Sequence, residues 1–241
     1  MGKVYHSSIF YPSDKDELLK LATPLEKKER KRAIIVPHQD LRKCYKHYQE
    51  AFRYIPDNSR IIALIPIHSE KLMKDNDHIA FEGDDEIITP LGKIYIEQLG
   101  LEKAPYYQEE EYASEPILPF VQTSTPHSTL SIIYVKAEDS EDCKRLSKLI
   151  EKWNNNNTFF IISSNLTGIV RENEIEKEKD RAIEMLENGA RLLDSYRKGH
   201  VGICASPIID ALSRIIAGKW KLIYTADDTI TGHASFYKEQ I

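Results

Sequence analysis

The sequence predicts an α/β fold, a three-layer α/β/α sandwich built on a largely parallel central sheet with an antiparallel excursion. Three observations predict it. Short β-branched apolar runs alternate with longer amphipathic stretches, as strands joined by crossover helices require. The runs are predominantly apolar without polar alternation, the pattern of strands covered on both faces. No Gly/Ser/Pro-rich linker or abrupt change in composition divides the 241 residues, so residues 1–241 are expected to form a single domain.

The elements follow in order. Ala33 to Val36 is the first candidate strand, and Leu41 to Tyr54, with apolar residues at three- and four-residue spacing, the first covering helix. Ile61 to Ile65 is the second strand. Between Ile79 and Ile96 the apolar runs shorten, and Gly83-Asp84-Asp85 and Pro90-Leu91-Gly92 are turn signals, so an antiparallel excursion is expected there. A helix is expected to begin near Ser114, with Glu109-Glu110-Glu111 as a solvated acidic run favoured by its dipole. Leu130 to Val135 and Thr158 to Ile162 are the next strands, with Ser140 to Trp153 and Ile175 to Arg197 as covering helices. Ser206-Pro207 reads as an N-cap followed by proline at the first helical position, opening a helix to about Ala217. Lys219 to Ala226 and His233 to Tyr237 are the closing strands.

Composition narrows the function. Net charge is −5, and the only dense basic run is Lys27-Lys28-Glu29-Arg30-Lys31-Arg32, so a nucleic-acid groove is not expected. No apolar run approaches the roughly 20 residues needed to span a bilayer, and His6 stands where a myristoylation signal needs Ser or Thr, so no membrane attachment is expected. Cys44, Cys143 and Cys204 are odd in number and far apart, which fits a reducing, cytoplasmic compartment.

In open α/β sheets ligands bind beyond the carboxyl ends of the strands. There the first strand runs into Pro37-His38, the second into Pro66-Ile67-His68 and the fourth into Ser163-Ser164-Asn165, while Cys204 lies two residues before Ser206. Two imidazoles and a thiolate are suitable ligands for a single transition metal, iron, copper or zinc, with a fourth position left open. A helix start beside Cys204 is expected to favour its thiolate. His47, His78, His127 and His200 are expected to be structural or solvated. No G-x-S-x-G elbow surrounds Ser163-Ser164, so a hydrolase triad is not supported.

These residues resemble the Memo-like family, also known as system protein B of the AmmeMemoRadiSam group, whose fold is shared with class III extradiol dioxygenases. The resemblance is carried by Ser8-Ile9-Phe10-Tyr11-Pro12, Ala33 to His38, Arg60 to His68, Thr89-Pro90-Leu91-Gly92, Glu109 to Phe120, Phe160 to Asn165 and Gly202 to Ile208, in that order. It implies that His38, His68 and Cys204 line one metal-holding pocket, with Gln39, Asp40, Tyr112, Glu115, Ser164 and Asn165 around them. Where the family usually has Pro-His-Ala-Gly-Tyr, this chain has Pro37-His38-Gln39-Asp40-Leu41, implying a narrower, more polar pocket. Tyr112 and Gly168 stand where the family usually has histidines, and Cys204 where ring-cleaving relatives have a carboxylate, so extradiol cleavage is disfavoured. The resemblance implies a small-molecule or peptide ligand and a link to a radical S-adenosylmethionine protein. Two functions follow: a non-catalytic or divergent binding module with a small metal- or ligand-binding pocket, or a metal-dependent redox or small-molecule enzyme using the His-His-Cys site.

Overall fold

The computed structural model describes residues 2–3, 6–69, 71–72, 78–168, 171–227 and 231–239. Ten strands are found among them: β1 (Gly2–Lys3), β2 (Ala33–Val36), β3 (Arg60–Pro66), β4 (Ala80–Glu82), β5 (Glu86–Thr89), β6 (Gly92–Tyr95), β7 (Thr129–Val135), β8 (Thr158–Ser163), β9 (Trp220–Asp227) and β10 (Gly232–Lys238). Seven form the central sheet in the order β4-β7-β3-β8-β2-β10-β9. The inner four, β7, β3, β8 and β2, are mutually parallel, while β4 closes one edge and β10 with β9 the other, all antiparallel.

Because successive side chains of a strand leave on opposite faces, this sheet supplies two cores. Ile34, Val36, Ile61, Ala63, Ile132 and Tyr134 pack on one face with Tyr48, Phe52 and Phe120. Ile35, Ile62, Leu64, Phe160 and Ile162 pack on the other with Leu146, Ile150, Leu186, Ile208 and Leu212. The result is a three-layer α/β/α sandwich. Each large apolar side chain so buried contributes roughly 1.5–3 kcal/mol relative to exposure.

The expected excursion divides. β4 joins the edge of the central sheet, while β5 and β6 form a hairpin completed by β1 into a separate three-stranded sheet. The helix expected from Ile175 to Arg197 is two, Glu172–Glu187 and Leu193–Arg197, because Gly189 takes a φ of +68° and turns the chain between them. The helix expected near Ser114 begins as a 3-10 turn, Tyr112–Ile117, before the α-helix Leu118–Ser124. Ser206 is the first helical residue of Ser206–Ile215 and not its N-cap; Ala205 occupies the cap, and Ser206 Oγ instead donates to Ile203 O at 2.7 Å. The basic run is partly structural: Lys27 Nζ donates to Phe52 O at 3.2 Å and Ile55 O at 2.8 Å, and Arg32 to Asn154 and Asn155. Among the described residues no helix is long and apolar enough to cross a membrane.

Candidate metal centre

Strands β3, β8 and β2 are adjacent and parallel, so their carboxyl ends open on one edge of the sheet. His68 follows β3, Ser163 ends β8 and His38 follows β2. The fourth participant arrives from another direction: the loop before the Ser206–Ile215 helix lays Cys204 across the end of β8. Gly202 permits this approach, because a Cβ there would stand 2.0 Å from the backbone nitrogen of Gly168 in the loop after β8.

His38, His68 and Cys204 converge, and a ring nitrogen from each histidine lies with the sulfur inside a 4.8 Å span. Cys204 Sγ is 3.7 Å from His38 Nε2, and the two imidazoles stand edge to face with centroids 4.8 Å apart. His38 is buried, Cys204 half-buried and His68 the most open of the three.

Each imidazole is oriented through its far nitrogen. Ser163 Oγ donates its single proton to Ala113 O at 2.8 Å, so it accepts from His38 Nδ1 at 2.9 Å. That leaves Nε2 of His38 to face the sulfur. The Glu111 carboxylate accepts from His68 N at 2.6 Å and from His68 Nδ1 at 3.0 Å, which gives His68 the same tautomeric bias. Outer partners of this kind fix both the tautomer and the ring angle of metal-binding histidines.

Electrostatics reinforce the arrangement. Burial opposes ionisation of the Cys204 thiol, but the imidazoles of His38 and His68 outweigh it and hold the sulfur well below the usual thiol range. For His68 burial likewise opposes charge, yet hydrogen bonds to Cys204 and Glu111 carry the imidazole up to about 10. Imidazoles therefore favour the thiolate here. At the helix start, N of the cap residue Ala205 donates to Ser164 Oγ at 3.2 Å.

The surrounding residues divide by task. Ser164 Oγ lies 3.5 Å from the Cys204 sulfur, and Asn165 Oδ1 accepts from His38 N at 3.1 Å. Tyr112 packs edge-on to His38 and stacks on Phe10 with centroids 4.1 Å apart, and burial pushes its hydroxyl up to about 12. Asp40 caps the Leu41–Phe52 helix through Arg42 N and pairs with the Arg42 side chain; the Gln39 amide reaches toward Thr231. Their polarity is thus directed to neighbouring backbone and side chains. Glu115 is buried and accepts from His6 N and Tyr11 Oη, tying the N-terminal segment beside Tyr112.

Two participants escape the sequence reading. Glu111, expected to be solvated, is fully buried against His68, whereas Glu109 and Glu110 are exposed as expected. Ser163 is legible as a strand end, but its role toward His38 is not. Among the other histidines, His78 and His127 pair with Glu102 and Asp57, and His200 is exposed. His47 is buried against Tyr224, and burial with His233 nearby depresses it to about 3.

The family model described as Memo-like protein matches residues 3–223. The chain belongs to the Memo-like family. Among curated proteins none matches it. Among solved structures it is similar to an uncharacterized protein from Escherichia coli K12, at 9% identity and a TM-score of 0.48, over 87% of this chain and 100% of that one. The His-His-Cys group of this Memo-like chain thus lies at the carboxyl edge of the sheet, with Tyr112 beside it and Gly168, whose Cβ would meet open space, in the loop after β8.

Proposed function

We propose that this Memo-like protein is a metal-binding module whose centre is His38 Nε2, His68 Nε2 and Cys204 Sγ. One observation carries the reading: both imidazoles have Nδ1 engaged by a dedicated partner, Ser163 or Glu111, so both present Nε2 toward the same sulfur. Two neutral nitrogens and a thiolate form a soft to borderline donor set, which fits copper or zinc better than iron. Three protein ligands leave room for one exchangeable ligand. A bound ion would supply Lewis acidity or, for copper, one-electron redox chemistry.

The residues around the centre favour binding over acid/base catalysis. Tyr112, raised to about 12, is a poor proton acceptor at neutral pH, and Gly168 has no side chain to offer. A second reading, a metal-dependent redox or small-molecule enzyme, is favoured by one feature. Cys204 also borders a cavity of about 140 Å³ walled by Pro66, Ile67, Val135, Tyr196 and Pro207, enough for a small apolar group beside the sulfur. Metal analysis of protein purified without an affinity tag tests the proposal. It predicts close to one copper or zinc per chain, lost in Cys204→Ser, in which a hard, mostly protonated hydroxyl replaces the thiolate. Equal metal content in a folded Cys204→Ser protein would overturn it.

A further inference from the structure

At the opposite edge of the sheet, far along the Ser206–Ile215 helix from Cys204, lies a cavity of about 320 Å³. Its walls come from the ends of β9 and β10 and from the carboxyl ends of the Glu172–Glu187 and Ser206–Ile215 helices. The register of the hairpin sets Lys238 directly opposite Trp220, and both line the cavity.

Lys238 is the unusual member. It is only 2% exposed, yet its ammonium has one hydrogen bond, to Ser213 Oγ at 3.1 Å, and one face of the Trp220 ring at 4.9 Å. Among the described residues no carboxylate forms an ion pair with it. Glu187, which ends the Glu172–Glu187 helix, accepts from Leu222 N. The ring and the helix's carboxyl end support a cation, but an ammonium has three protons to place. Burying a charge without a partner is costly.

The cavity's other charges deepen the imbalance. Arg191 and Arg214 stand exposed at its mouth, and the single carboxylate of the lining, Asp210, accepts from Leu192 N at 2.9 Å and Leu193 N at 3.0 Å. Three cations therefore share a cavity with one carboxylate already held by backbone. We propose that this cavity binds the anionic group of a small metabolite, a phosphate or a carboxylate, held by Lys238 Nζ with Arg191 and Arg214 closing over it. Trp220 supplies an apolar wall for the organic part of such a ligand. Burial has lowered Lys238 to about 8, and an anion bound beside it would raise that value again.

The test is a titration of the intact protein with inorganic phosphate and, separately, acetate, to about 50 mM, well past a millimolar Kd. The Trp220 indole N–H, which donates to Ser213 Oγ, is followed by NMR, and melting temperature is recorded in parallel. Saturable movement of that resonance is expected with at least one anion. Response to phosphate alone identifies a phosphorylated ligand, and response to acetate alone a carboxylic acid. Lys238→Met should bind about tenfold more weakly or worse, the loss of a charge-assisted hydrogen bond. Should Lys238→Met fail to fold, Arg191→Ala/Arg214→Ala, confined to exposed residues, is expected to weaken binding by a similar factor without changing the melting temperature. Silence of the Trp220 resonance toward both anions, or undiminished binding by a folded variant, would overturn the proposal.

Discussion

At the scale of single residues, the site depends on which nitrogen of each imidazole is free. Glu111 orients His68 and stabilises its charge; Glu111→Gln keeps the shape but removes the anion, and metal affinity is expected to fall by roughly 10–100-fold, as for other outer partners. Protons and metal compete for His68 Nε2. Because Cys204 and Glu111 raise this imidazole against the opposing effect of burial, affinity should climb with pH through neutrality toward about 10, and Glu111→Gln should move that climb to lower pH. Competition with a chromophoric chelator across pH measures both; a pH-independent affinity would contradict the assignment. Without metal the sign reverses. The protonated His68 contributes its full stabilisation below its ordinary value of 6.5 and loses it as pH rises through about 10. His38, His68 and Cys204 were legible because each flanks a recognisable strand or helix. Glu111 was not, because in a run of three glutamates nothing but burial distinguishes the third from its solvated neighbours.

At the scale of elements, the parallel strands were legible to within a residue or two, since runs such as Ile61 to Ile65 are apolar on both faces. The hairpin β5–β6 was legible as turns but not as a separate sheet, because its third strand, β1, is two residues long and pairs at a distance of more than eighty residues. The loop holding Cys204 makes the element-scale prediction. In Gly202→Ala the new Cβ would meet Gly168 N at 2.0 Å and the backbone of Thr167 just beyond, so two loops must separate. Overpacking of this kind costs about 1–3 kcal/mol, and the sulfur moves with the loop. Melting temperature and metal affinity are therefore expected to fall together, and a Gly202→Ala protein with both unchanged would show that the close approach does not position Cys204.

At the scale of the whole molecule, topology does what no single motif does. It sets β3, β8 and β2 side by side and returns the chain through the Ser206–Ile215 helix, gathering residues 38, 68, 111, 163 and 204 at one edge. The order of the motifs was readable in the sequence; their convergence required the sheet. That assembly has no imidazole at position 168 and a high-pKa phenol at 112, so iron-loaded protein is expected to give no ring-cleavage product from catechol, and a yellow ring-opened product in a spectrophotometric assay would contradict this. X-ray absorption at the edge of the bound metal, on wild type and Cys204→Ser, tests the central claim most directly. Two imidazole nitrogens and one sulfur are predicted around the metal in wild type, with the sulfur absent from Cys204→Ser that has been loaded with excess metal after purification. A wild-type spectrum without sulfur, or without imidazole scattering, would contradict the His38, His68 and Cys204 centre.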